Sequence, residues 1–131
     1  MLLGNFIKLI RRHNKRPAGD LCRELGRARS YLSKVEAGVS TVAQPDLDLI
    51  LEFLEQTHNK SFFQYLWVGH LKSIRVSLHD PRVPESLRKL VILHELGQYP
   101  PEEEINQIVE KHAPQIPEDI AQILAQTQNS R

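Results

Sequence analysis

Leu21-Cys22-Arg23-Glu24-Leu25-Gly26-Arg27-Ala28-Arg29-Ser30-Tyr31-Leu32-Ser33-Lys34-Val35-Glu36 is the stretch whose reading decides the fold. It reads as a short helix, a glycine-centred turn and a second short helix. Cys22 is a small residue four positions before Gly26, and Leu32 and Val35 follow at helical spacing. Two helices that cross steeply at a short turn need those three things: a small residue at the close approach, a turn residue that tolerates positive φ, and aliphatic anchors. With Leu32 and Val35 turned inward, Arg29, Ser30, Ser33 and Lys34 are left on the outer face of the second helix.

Working outward, apolar spacing predicts a first helix over about Leu3 to His13, with Phe6, Ile7, Leu9 and Ile10 on its inner side. Pro17 suits a helix start, because its φ is already fixed and it lacks an N–H. A second helix over Ala18 to Leu25 is ended by Gly26, and a third spans residues 28–37, closed by Gly38. Pro45 and Asp46 open a fourth, with Leu47, Leu49, Ile50, Phe53 and Leu54 as its apolar face, and Asp46 and Asp48 favour its positive end. Beyond a boundary at about residues 57–61, an aromatic-rich helix is expected from Ser61 to His79. Pro81 and Pro84 interrupt it. Further helices are expected over Glu85 to Leu96, from Pro100 and Pro101 to Lys111, and from Pro117 to about Gln126. No alternating strand pattern occurs, so the chain reads as all-α.

The 131 residues suit one compact domain or a small domain with a helical extension. We divide them into a first domain, 1–58, and a helical C-terminal region, 61–131. The longest apolar stretches fall far short of the roughly 20 residues that cross a bilayer, which argues against a membrane location. The apolar N-terminus precedes its basic residues, the reverse of a signal peptide, so a cytoplasmic protein is expected. A net charge of +1 hides an asymmetry: residues 1–38 carry nine basic and three acidic side chains, the remainder eight and thirteen. A basic end on an acidic remainder points to a polyanion at the N-terminal end only.

Several chemistries find no support. Cys22 is the only cysteine, which excludes an internal disulfide and a multi-cysteine zinc site. It reads as a small core residue. The six histidines are scattered, and His94-Glu95 lacks the second histidine of a zinc-protease helix. With no glycine-rich phosphate loop and no nucleophile–base constellation, neither an enzyme nor a cofactor or metal is expected.

Residues 2–55 resemble the lambda-repressor-like, or Xre/Cro-type, helix-turn-helix family. The matches in register are Ile7, Leu21, Leu25-Gly26, Ser30-Tyr31-Leu32-Ser33-Lys34-Val35-Glu36, Gly38, Pro45-Asp46-Leu47 and Leu49. Arg11 and Glu36 occupy the family's structural Arg–Glu pair. The resemblance implies a sequence-specific, double-stranded-DNA-binding transcriptional regulator, acting as a homodimeric repressor on a palindromic operator. Helix 28–37 would enter the major groove. Ala28, Arg29, Ser30 and Lys34 would face base edges, and Arg12, Lys15, Arg16 and Arg27 the phosphate backbone. Three departures stand out. Ala18 replaces a frequent glutamine that clasps a phosphate, Ala28 replaces the usual Ser or Thr cap, and the loop from Gly38 to Pro45 is longer than is common.

The aromatic helix supplies the candidate dimer interface: Phe62, Phe63, Tyr65, Leu66, Trp67, Leu71 and Ile74. Two other readings stay open. The C-terminal helices would instead bind a toxin, peptide or antirepressor, making the chain an antitoxin or sensor. In a reading of another class, the chain is a protein-interaction adaptor that no longer binds DNA.

Overall fold

The protein is described here from a computed structural model that covers residues 2–71 and 77–129. Among the described residues the chain is all-helical, with no strand. The helices are α1 (Leu3–His13), α2 (Ala18–Leu25), α3 (Arg29–Glu36), α4 (Gln44–Phe53), α5 (Lys60–His70), α6 (Glu85–Glu95), α7 (Glu102–His112) and α8 (Glu118–Asn129), with a 3₁₀ turn, Thr57–Asn59, ahead of α5. No helix is long and apolar enough to cross a membrane among the described residues.

The chain forms two compact units: Met1–Lys72 together with Pro114–Arg131, and Ser73–Ala113. This division departs from the expected one, because no unit boundary falls between residues 58 and 61. The reason is packing. α1 packs on α3, α5 and α8, and α2 on α3 and α4, so the first and last parts of the chain share one core.

That core explains the α1 pattern. Leu3, Phe6, Ile7 and Ile10 are buried at i, i+3, i+4 and i+7 spacing, against Leu21, Cys22 and Leu25 of α2, Leu32 and Val35 of α3, and Leu47, Ile50 and Leu51 of α4. Ile120 and Ile123 of α8 complete it. Gly26 takes φ +63° after α2, where its missing Cβ removes the left-handed penalty. The Arg27 N–H then donates to the Cys22 carbonyl at 3.1 Å. Buried Cys22, whose Sγ is 3.9 Å from the Ala28 carbonyl oxygen, fills the corner between the two helices.

α5 departs from expectation in length and role. It stops at His70, where Leu71 turns to extended backbone, rather than running to His79. Phe62 and Phe63 are 6% and 0% exposed, and Leu66 and Trp67 pack on the same core. Phe6 and Phe62 meet edge to face at 5.3 Å, as do Phe62 and Phe63 at 5.4 Å. The Trp67 indole N–H donates to the Val42 carbonyl at 2.6 Å. The long loop after Gly38 thus buries Val42 and receives the indole.

In the second unit, Pro84 and Pro101 precede α6 and α7, and Gly97 closes α6 at φ +69°. Neither α6 nor α7 has a buried residue.

Candidate nucleic-acid interface

The outer face of α3 is where the chain displays chemistry without using it internally. Arg29, Ser30, Ser33 and Lys34 are all exposed. Among the described residues their side chains make no hydrogen bond or ion pair. The opposite face is fixed by Leu32 and Val35, at 1% and 2% exposure. Ala28 stands at the N-cap and supplies no side-chain bond to the first turn. The front of α3 therefore keeps its N–H groups unsatisfied by a cap side chain, and a Ser or Thr there would gain about 1 kcal/mol.

Three devices set the position of α3. The first is the Arg11–Glu36 pair. Arg11 Nε donates to Glu36 Oε2 at 2.9 Å and Nη2 to Oε1 at 3.0 Å, a two-pronged contact with both side chains about nine-tenths buried. Arg11 Nη1 also donates to the Arg16 carbonyl at 3.1 Å, tying the end of α3 to the segment entering α2.

The second device sits at the start of α3, and sequence reading missed it. The Tyr31 hydroxyl donates to Asp46 Oδ2 at 2.8 Å, and Arg27 Nη2 reaches the same oxygen at 3.1 Å. Asp46 is 7% exposed, and the Arg27 guanidinium lies 4.9 Å from the Tyr31 ring centre. Burial pushes the Tyr31 hydroxyl above its ordinary value, and the Asp46 hydrogen bond and charge add to that. Asp46 looked like a charge at the start of α4; no local pattern reveals that it reaches Tyr31.

The third is Gly4. A Cβ there would lie 2.9 Å from the Val35 carbonyl carbon and 3.0 Å from Glu36 Cα, and nearer still to the Val35 carbonyl oxygen. α1 meets the backbone of α3 directly, and only glycine fits. An isolated glycine inside a helical pattern is the signal that marks such a contact.

The expected backbone-contact residues divide. Arg12 is exposed on α1, alongside Lys8 and His13 in a shallow groove bordered by Thr127 of α8. Lys15 is exposed and holds φ +54° after α1. Arg16 stacks its guanidinium 3.9 Å from the Phe53 ring centre. Arg27 is drawn to Asp46, so it steadies α3 as well as facing solvent.

The expected dimer interface divides too. Phe62 and Phe63 are consumed by the core of the single chain, and Leu66 and Trp67 are largely so. Phe62 and Phe63 therefore belong to the core of the single chain, packed against α1. Tyr65 is 46% exposed and Leu71 is partly exposed. Ile74 lies outside the described residues.

In the same unit, a polar clamp joins the 3₁₀ turn to α8. His58 Nε2 lies 3.1 Å from Asp119 Oδ2, and Asn59 Nδ2 donates to both Asp119 oxygens at 3.2 Å and to Gln56 Oε1 at 2.7 Å. Burial opposes ionisation of Asp119, but hydrogen bonds from His58, Asn59 and the Ile120 N–H, with the nearby His58 charge, hold its carboxyl below the usual range. Among the described residues no group of three His, Cys, Asp or Glu side chains is arranged to hold a metal. No protein-family model, no curated protein and no solved structure matches this chain.

Proposed function

We propose that this protein is a sequence-specific DNA-binding transcriptional regulator in which α2 and α3 act as a helix-turn-helix and α3 enters the major groove. The observation that carries the reading is a rigidly held helix whose outer face is polar, basic and unspent. A helix that reads bases must not move when it docks. Arg11–Glu36, Tyr31–Asp46–Arg27 and the Gly4 contact supply that rigidity.

Arg29 and Ser30 lie in the first turn of α3, the end that reaches base edges in this kind of docking. Arg29 has the planar fork to donate two hydrogen bonds to a guanine, worth about 1–3 kcal/mol of discrimination. Ser30 and Lys34 follow on the same face, and Ala28 offers a methyl. Arg12, Lys15 and Arg16 are the positively charged groups that would contact phosphates. One short helix reads few bases. A homodimer with its two α3 helices about 34 Å apart reads two half-sites of a palindrome and multiplies the discrimination. Such a dimer acts as a repressor by occupying the operator.

Anisotropy titrations of duplex DNA with the full chain test the reading. Arg29→Ala should relax preference at one base pair of each half-site. Lys15→Ala should weaken all sequences alike and lower the salt slope by about 1. Sequence preference left intact by Arg29→Ala removes Arg29 as a reader.

A further inference from the structure

Helices α6 and α7 are each eleven residues long and have no buried residue. Isolated helices shorter than about 12–15 residues are marginal in water, so helices this short depend on burying an apolar face. On α7 that face is present and uncovered. Ile108 and Val109 are 63% and 45% exposed and Ile105 is partly exposed, a strip at i, i+3 and i+4.

The charges beside the strip indicate what covers it. α7 begins with Glu102, Glu103 and Glu104 and ends with Lys111 and His112. Glu104 and Lys111 are seven residues apart and therefore lie along the same edge of the apolar strip. Neither makes an ion pair among the described residues. Two such helices laid antiparallel about a two-fold axis at Gln107 and Ile108 bring Glu104 of each protomer opposite Lys111 of the other. The same axis stacks Ile105, Ile108 and Val109 between the helices. In a parallel pair that edge would face the opposite edge of the partner helix, and Glu104 would not meet Lys111.

We propose that α7 pairs antiparallel with α7 of a second copy of this chain, sealed by reciprocal Glu104–Lys111 ion pairs. The proposal rests on the dimeric part of the reading above and locates its interface. It stands or falls without reference to DNA. The surface is self-complementary, as a two-fold contact requires, and its small size implies a weak, reversible dimer.

Sedimentation equilibrium of the full chain without DNA tests it. The mass should rise with concentration from that of one 15.1 kDa chain toward twice that value. Lys111→Glu turns both ion pairs repulsive and should raise the dimer Kd about tenfold, and Glu104→Lys should do the same. Combining the two restores the pairs in reverse and should return the Kd close to the unaltered value. Ile108→Glu should leave a monomer in which any loss of helical circular dichroism is confined to the second unit, the Trp67 fluorescence of the first unit staying unchanged. A single-chain mass at every concentration overturns the proposal, including the case in which the strip serves another protein. So does a dimer that survives Ile108→Glu, or a double charge reversal no tighter than either single one. Loss of dimerisation with retained DNA affinity, or the converse, separates this inference from the DNA reading.

Discussion

Replacing Gly4 with alanine should destabilise the protein although alanine is the better helix former. In α1 the exchange gains about 1 kcal/mol of helix propensity. Against that, the new methyl would stand 2.9 Å from the Val35 carbonyl carbon and 3.0 Å from Glu36 Cα. Both are backbone atoms and cannot swing aside. Ordinary carbon contacts lie at about 3.5–4.0 Å, so α1 must retreat from α3 or its first turn must peel away. Forcing a methyl into a packed contact costs about 1–3 kcal/mol, occasionally more. Here the upper end applies, because retreat also stretches the Arg11–Glu36 contacts at 2.9 and 3.0 Å and uncovers Leu3. The net expectation is a loss of about 2 kcal/mol after the propensity gain. Gly19→Ala is the internal control: its Cβ meets nothing within 4 Å, so the same exchange in α2 should stabilise by up to about 1 kcal/mol. Urea unfolding followed by the single tryptophan, Trp67, reads the unit that holds both glycines. A Gly4→Ala protein as stable as its parent would refute the claim that α1 and α3 touch through backbone.

Arg11→Met strands the Glu36 carboxylate, which is about nine-tenths buried, and should cost about 3–5 kcal/mol, whereas Arg11→Met with Glu36→Leu should cost clearly less in the same urea assay. Lys15 and Glu55 hold φ +54° and +57°, so Lys15→Gly and Glu55→Gly should each stabilise by about 1 kcal/mol. On the DNA reading only the Lys15 change should also weaken DNA binding. The depressed carboxyl of Asp119 gives the clamp on α8 a pH dependence of definite sign. A carboxylate whose folded-state value lies below its unfolded value, about 3.9, stabilises above that pH and stops doing so as pH falls through the folded value. Carboxyl NMR titration should find Asp119 below the ordinary range, and His58→Ala should move it upward. An unmoved titration would remove the His58 contribution.

The helical class and the spans of the first helices could be read from the sequence, because they depend on neighbours in the chain. Pro17, Gly26 and Gly38 sit where the backbone turns, and the apolar spacing of Phe6, Ile7 and Ile10 marks one face. α1 and α2 have the expected bounds, and α3 is shorter than 28–37 by one residue at each end. What escaped depends on distant partners. Phe62 and Trp67 look alike whether they face a second chain or α1 and Val42. Nothing local in Pro117 to Gln126 says that this segment returns to pack on α1. Tyr31 scores as apolar, yet its hydroxyl holds Asp46, and Arg27 scores as a free cation, yet it shares that carboxylate. At the candidate interface, the outward set of Arg29, Ser30, Ser33 and Lys34 followed from periodicity alone, since Leu32 and Val35 fix which side faces in. Gly4 was visible as a residue, but its reason lies in Val35.

In the proposed function α3 reads base pairs. Selection of duplexes from a random pool by the full-length chain, with the affinity of the selected duplex then measured across a salt series, tests it most directly. A dimer that docks two α3 helices should enrich a two-fold-symmetric sequence with half-sites about 10 base pairs apart. Its affinity should fall steeply with salt, because cations that neutralise phosphates release counterions, and Arg29→Ala should lose enrichment at one position per half-site. A pool that emerges unenriched, with binding that is weak and flat in salt, would contradict it and leave the chain a helical adaptor.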